Sequence, residues 1–376
     1  MPGAILPLLV LAVLGANTAT QTAQWPAVGD PSQAGSARQG PPGSEVPDFS
    51  QEPGSSEGCK AAAARVEIAK TWTQLKQYDQ AIALLRSATE ACPGNRTLAL
   101  ELARAYLQAR RFAEAEQTAQ RVLETDPRSE PAQFLLAYSY FMQQRFPEAG
   151  RTLQKLLAQD NNIPEAHKLA GLTLFFYKEY VMAEKELRIA LKKQPKDTEA
   201  LYYLGRVYYA QNTLRPAVAA FRKQLALDPE AYKAYDNLGV CYDGLGKTRE
   251  AIAAFKKAQE LARTADPSDD WPYGNLADLL IRLNRAAEAL PYALEAVRIN
   301  PHSARDQYLA GKALVRLGRL GEALEYLRRA AEFDPPYPEP HYLLGQLYQK
   351  LGQRESAARE FALFEETSKK QPYKKE

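Results

Sequence analysis

The feature that most constrains this chain is a spacing. From Ala62 onward a pattern of small, large and turn-forming residues returns at Ala62, Arg96, Glu130, Pro164, Thr198, Tyr232, Asp270, Ala304 and Pro338. Seven of the eight intervals are 34 residues, and the interval from Tyr232 to Asp270 is 38. A period of that length marks copies of one supersecondary unit that cannot bury its apolar face alone. The copies must therefore stack, each on its neighbours.

The unit is clearest from Tyr232 to Ala258. Tyr235, Leu238, Tyr242, Ala251, Phe255 and Ala258 recur at helical intervals on either side of Gly244-Leu245-Gly246-Lys247, so the stretch reads as two amphipathic helices joined by a turn. Counting each start as position 1, position 20 is alanine in every copy, from Ala81 to Ala357. Position 8 is Ala or Gly throughout (Ala69, Ala103, Ala137, Gly171, Gly205, Gly239, Ala277, Gly311, Gly345), which predicts close approach of the two helices there. Position 11 is large, for example Trp72, Tyr106, Tyr140 and Tyr208. Proline at position 32 in six copies ends the second helix, because it cannot continue the hydrogen-bond ladder.

A 34-residue helix-turn-helix unit with Leu-Gly-x-x-Tyr, a later Ala, an aromatic or Leu, and a closing Pro resembles the tetratricopeptide repeat. The resemblance covers Ala62 to Gln371 in nine registered copies. It implies an all-α fold, a right-handed α-solenoid of antiparallel helix pairs, whose first helices line a concave groove that holds an extended segment of another protein. The four extra residues near Arg263 to Asp269 are open to two readings, a second helix one turn longer or a change of superhelical pitch. Pro147 and Pro216 fall where second helices begin, and Pro291 falls inside one, where it predicts a slight kink.

The stretches outside the repeats read differently. Residues 1–19 resemble a secretory signal peptide, with an apolar run from Ala4 to Leu14 too short to span a bilayer, although no Lys or Arg precedes it. Residues 20–58, rich in Gly, Pro, Ser and Gln, are expected to be a disordered leader, and 372–376 a basic tail. The solenoid is expected over 59–371. The chain is accordingly expected in an exported location, periplasmic or extracellular, with the cytoplasm as the alternative. No later stretch is apolar enough to cross a membrane. A net charge of +3, with Lys and Arg interleaved among Asp and Glu, offers no basic stripe for nucleic acid.

Catalytic chemistry is not legible. Gly54-Ser55-Ser56-Glu57-Gly58 matches a nucleophile elbow in letters but sits in a segment that cannot form the strand-turn-helix it needs. Gly244 to Thr248 lacks the strand and first glycine of a phosphate loop, and reads as an interhelix turn. His167, His302 and His341 lie in different repeats at spacings that match no metal motif, without a Cys or carboxylate cluster. No cofactor or metal is indicated. Cys59 and Cys92 fall at the same pole of the first hairpin and are either a disulfide or two separate thiols. Cys241 reads as a buried core thiol, and Asn95-Arg96-Thr97 fits the glycosylation acceptor pattern.

Positions 2, 5, 9, 12 and 13 line the groove in the family that the chain resembles. In repeats three to five these give Phe134, Tyr138, Phe141, Met142, Leu172, Phe175, Phe176, Tyr202, Arg206 and Tyr209. So aromatic a set points to a protein-binding patch, or to packing between neighbouring first helices. Further along, Asp236, Asp243 and Asp278 suggest an acidic zone, and Arg282, Arg305, Lys312 and Arg316 a basic one. Asn237 and Asn275 occupy position 6, where the family uses an amide to hold a ligand's backbone. Position 9 is Arg206, Val240 and Asp278 in repeats five to seven, a departure from the family's carboxylate clamp that argues against a chaperone tail as ligand. The resulting expectation is a non-enzymatic scaffold that binds a protein or extended peptide. The alternatives are a structural subunit of an envelope or secretion assembly and an accessory subunit of an enzyme complex.

Overall fold

In the computed structural model, Cys59 and residues 61–370 are described; the signal-peptide, leader and tail readings fall outside them. The first helices of the repeats are α1 (Ala62–Gln74), α3 (Arg96–Gln108), α5 (Glu130–Met142), α7 (Pro164–Phe176), α9 (Thr198–Ala210), α11 (Tyr232–Gly244), α13 (Trp271–Arg282), α15 (Ala304–Arg316) and α17 (Pro338–Lys350). Each is followed by its partner: α2 (Tyr78–Ala91), α4 (Phe112–Thr125), α6 (Phe146–Gln159), α8 (Tyr180–Lys193), α10 (Leu214–Leu227), α12 (Thr248–Ala265), α14 (Ala286–Ile299), α16 (Leu320–Phe333) and α18 (Arg354–Lys370). Among the described residues there is no strand. Eight of the nine expected starts open a helix, and α13 begins one residue after Asp270.

The small residues do what their spacing requires. A Cβ built on Gly171, Gly205, Gly239, Gly311 or Gly345 would lie 2.6 Å from the side chain at position 24 of the same repeat: Leu187, Phe221, Phe255, Leu327 or Phe361. A phenylalanine stands at that position only where position 8 is glycine, so ring and gap are matched repeat by repeat. Phe221 and Phe255 are fully buried, and each contributes about 1.5–3 kcal/mol by leaving water. The alanines at position 20 are likewise sealed, eight of nine at 0% exposure, which confirms the predicted helix contact.

All nine turns between the helices of a pair close in one way. The residue at position 15 has a positive φ, and the next backbone N–H donates to the carbonyl at position 11, as Lys247 does to Tyr242 at 2.8 Å and Arg319 to Leu314 at 3.0 Å. This Schellman closure caps carbonyls that the helix leaves unpaired. Gly246, Gly318 and Gly352 take the left-handed conformation freely. Lys76, Arg110, Gln144, Lys178, Asn212 and Asn284 take it as well, held by the same hydrogen bonds.

Every neighbouring pair of first helices is in contact, and no neighbouring pair of second helices is. The stack therefore curves with first helices on its inner, concave side, as a right-handed α-solenoid. The four extra residues lengthen α12 to 18 residues, where most second helices have 14. The end of this helix packs on the start of α13: Gln259 Nε2 donates to the Pro272 carbonyl at 3.0 Å, and Arg263 Nε, in the extra turn, to Tyr273 Oη at 3.3 Å. Pro291 is accommodated inside α14, which continues past it to Ile299.

Cys59 and Cys92 are joined by a disulfide, with Cα atoms 5.6 Å apart. Cys241 is fully buried, and burial pushes its thiol up to about 12. Two of the histidines gain partners across their hairpins. His167 and His341 occupy equivalent buried positions, with Nδ1 2.7 Å from Glu186 and Glu360 respectively and Nε2 facing the Asn161 or Pro335 carbonyl. Each thus has a carboxylate partner nineteen residues away, brought close by the hairpin. Among the described residues no group of three or more His, Cys, Asp or Glu could hold a metal ion, and no helix is long and apolar enough to cross a membrane.

Candidate functional site

Helical spacing sets the candidate side chains on the inner face. Phe134, Tyr138, Phe141 and Met142 stand at i, i+4, i+7 and i+8 of α5, and Tyr202, Arg206 and Tyr209 at i, i+4 and i+7 of α9. Their rings join across the repeats. Phe134 meets Tyr138 at 6.4 Å between centroids, Tyr138 meets Phe141 at 6.4 Å, and Phe141 meets Phe176 at 5.7 Å. The chain continues through Tyr203 at 5.9 Å to Tyr202 at 5.4 Å. Tilted and edge-on pairs of this kind are the geometry that ring quadrupoles favour.

Two members of this ladder escaped the sequence reading. Tyr203 stands at position 6, outside the expected set, and Phe146 belongs to a second helix yet stacks on Phe176 at 5.7 Å and 8°. The doublets Phe175-Phe176 and Tyr202-Tyr203 were the available signal. Burial among the rings pushes Tyr203 up to about 12.

Two expected surface residues are floor instead. Leu172 and Phe175 are only 5% and 6% exposed and belong to the core with Leu187, Leu201 and Leu204. Repeat five covers them: Tyr203 packs edge-on against Phe175 at 5.6 Å, and the Arg206 guanidinium lies 4.7 Å above the same ring. Burial lowers the pKa of Arg206. Phe134, Phe141, Met142, Phe176, Tyr202 and Arg206 are half-buried, whereas Tyr138 and Tyr209 are 36% and 45% exposed. Between the rings Lys168 Nζ holds Asp197 and Glu199, each at 3.0 Å, so one charged cluster on this stretch is internally matched.

Repeats six to eight correct the expected separation into acidic and basic zones. Arg282 reaches Asp243 at 2.5 Å and Asp278 at 3.1 Å, so the two signs interlock. Asn275 Nδ2 donates to both carboxylate oxygens of Asp236 at 3.0 Å and its Oδ1 accepts from Arg305 Nη2 at 2.5 Å. Asn237 donates to the Lys233 carbonyl at 2.7 Å. The Asn275 amide is thus engaged through both its nitrogen and its oxygen, and the Asn237 amide through its nitrogen. Burial, reinforced by Asp269, raises Asp236 to about 7 against the opposing donors of Asn275. Arg305 also lies 4.6 Å above the ring of Trp271.

The repeats match established families. Models of the tetratricopeptide repeat match residues 73–133, 182–223, 232–264, 272–303 and 311–352. The chain belongs to the tetratricopeptide repeat family. A model of the anaphase-promoting complex, cyclosome, subunit 3 matches residues 108–189 of this tetratricopeptide repeat chain. No curated protein matches it. Among solved structures, a chain of the APC/C hetero-tetramer Cut9–Hcn1 is similar with a TM-score of 0.56 at 14% identity, covering 72% of this chain and 52% of that one. The likeness is one of fold. MamA is similar at 26% identity and a TM-score of 0.41, covering 44% of this chain and 91% of that one. PilF of Pseudomonas aeruginosa is similar at 19% and 0.49, covering 55% and 97%.

Proposed function

We propose that this tetratricopeptide repeat chain is a non-enzymatic interaction scaffold, exported from the cytoplasm, that holds an extended segment of a partner protein against the inner face of repeats three to five. The observation that carries this reading is the ring ladder from Phe134 to Tyr202, of which Tyr138 is an exposed member, with the exposed Tyr209 farther along α9. Half-exposed rings lose little conformational entropy on binding and bury much area, which is why aromatic side chains dominate the energetics of interfaces. The Cys59–Cys92 disulfide supports the exported location, since such bonds persist in oxidising compartments.

The test has two stages. Crosslinking of the mature protein in its native compartment identifies what is attached, and capture of that partner is then measured with Tyr138, Met142 and Tyr209 replaced together by Ala. The expected result is loss of capture with helicity unchanged. Undiminished capture overturns the reading. Phe175 is left intact because its ring is buried, and its removal would test folding instead.

A further inference from the structure

The second helices are not alike in charge. Positions 18, 22, 25 and 29 of a repeat stand at i, i+4, i+7 and i+11 of its second helix and so share one face. On α8 that face carries Val181, Lys185, Arg188 and Lys192, all exposed. α10 adds Arg215 and Arg222 and contains no Asp or Glu, α12 adds Arg249 and Lys256, and α6 adds Arg151, every one of them exposed. In repeats three to six these positions hold eight cations against one carboxylate, and in the other five repeats four cations against seven carboxylates. The net charge of +3 for the whole chain conceals this division.

The excess charge is also unmatched. Arg188 is held by Glu184 at 3.2 Å, while the other seven cations of the face make no ion pair among the described residues. The one acid, Glu260, is taken by Lys257 at 2.8 Å. Outside this stretch a cation of the same face is neutralised where Glu295 closes Arg298 at 2.8 Å. Like charges left unpaired on one surface sum to a positive potential that draws a polyanion. Val181 decides which kind. It is 75% exposed, the most of any large apolar residue described, and Met182 beside it is 41% exposed. The phosphates of a nucleic acid reward cations alone, and single strands add a reward for aromatic rings, of which this face has none in repeats three to six. An anionic bilayer rewards both, cations at its headgroups and apolar tips at the acyl boundary. We propose that the outer face of repeats three to six docks on a bilayer of anionic phospholipid, with Val181 and Met182 entering the headgroups and the inner face pointing away from the membrane.

Co-sedimentation of the full chain with vesicles tests the docking, with equal parts phosphatidylglycerol and phosphatidylcholine in one set and phosphatidylcholine alone in the other. The chain should bind the first set only and leave it in high salt, because screening shortens the reach of surface charges. Each cation near such a surface is worth about fivefold in binding, so Arg215→Gln, Arg222→Gln and Lys223→Gln together should weaken it by at least about tenfold. Arg86→Gln, Arg298→Gln and Arg359→Gln remove the same charge from the same face of repeats one, seven and nine, and should weaken binding by less than about twofold. Val181→Trp adds an emitter whose spectrum, taken against the parent chain, should shift to the blue on the phosphatidylglycerol vesicles. Equal loss from the two triple variants, no blue shift, or tighter binding to duplex DNA than to the vesicles at equal salt overturns the proposal.

Discussion

Repeats three to five and repeats six to eight use the same scaffold positions and reach opposite outcomes. In the former, the inner face carries Phe134, Tyr138, Phe141, Phe176 and Tyr202, joined in one ladder of rings, and the exposed Tyr209, and it still leaves aromatic area in water. In the latter, Asp236, Asn275, Arg305, Asp243, Arg282 and Asp278 satisfy one another almost completely. Rings cannot saturate each other, because burial is proportional to area and any exposed remainder still gains by leaving water. Hydrogen bonds and ion pairs do saturate, and a partner must break existing contacts to make new ones. The aromatic half is thus the half with free energy left to gain on binding.

The largest expected effect comes from taking a floor ring away. Phe175→Ala should cost about 3–5 kcal/mol, read as a lowered urea midpoint, because it opens a void beneath Arg206 and Tyr203. A cost near that of an exposed tyrosine would break the distinction between floor and surface. Next is Asn275→Ala, which leaves the Asp236 carboxyl group without the amide that bonds both its oxygens and should cost about 1–3 kcal/mol.

The same site carries a pH signature. Asp236 lies at about 7 in the folded chain, above its ordinary value, so its contribution is complete below the ordinary carboxylate range and is lost as pH rises through about 7. Denaturation midpoints taken across that range should fall in the parent chain and fall less in Asp236→Asn. The smallest effect is Arg282→Gln. Its side chain is 47% exposed, so the two ion pairs should be worth under about 1 kcal/mol, and less in high salt.

What was legible before the structure follows from the same contrast. A residue repeated at one position leaves a periodic trace, so Ala81 to Ala357, the small residues opposite Leu187 or Phe221, and the helix starts could be read off the chain. Burial that depends on a neighbouring repeat leaves no such trace. Leu172 and Phe175 looked like surface because nothing in repeat four reports that Tyr203 and Arg206 of repeat five lie over them. The turn residues escaped for a related reason. Lys76, Arg110, Gln144 and Lys178 are poor choices for a positive φ taken alone, and only the closing hydrogen bond to position 11 makes them tolerable. Contacts over long sequence intervals, such as Asn275 with Asp236 or His167 with Glu186, require the fold before they can be named.

Partner contact should follow the aromatic stretch of the inner face. Its most direct test places a photo-crosslinking residue, one site at a time, at Tyr138, at Tyr209, at Asp278 in the polar half and at Gln154 on the second-helix layer, in the producing cells. One protein should be trapped strongly from Tyr138 and Tyr209, weakly from Asp278 and not from Gln154. Trapping from Gln154 with none from Tyr138 or Tyr209 would place the partner on the outer layer instead.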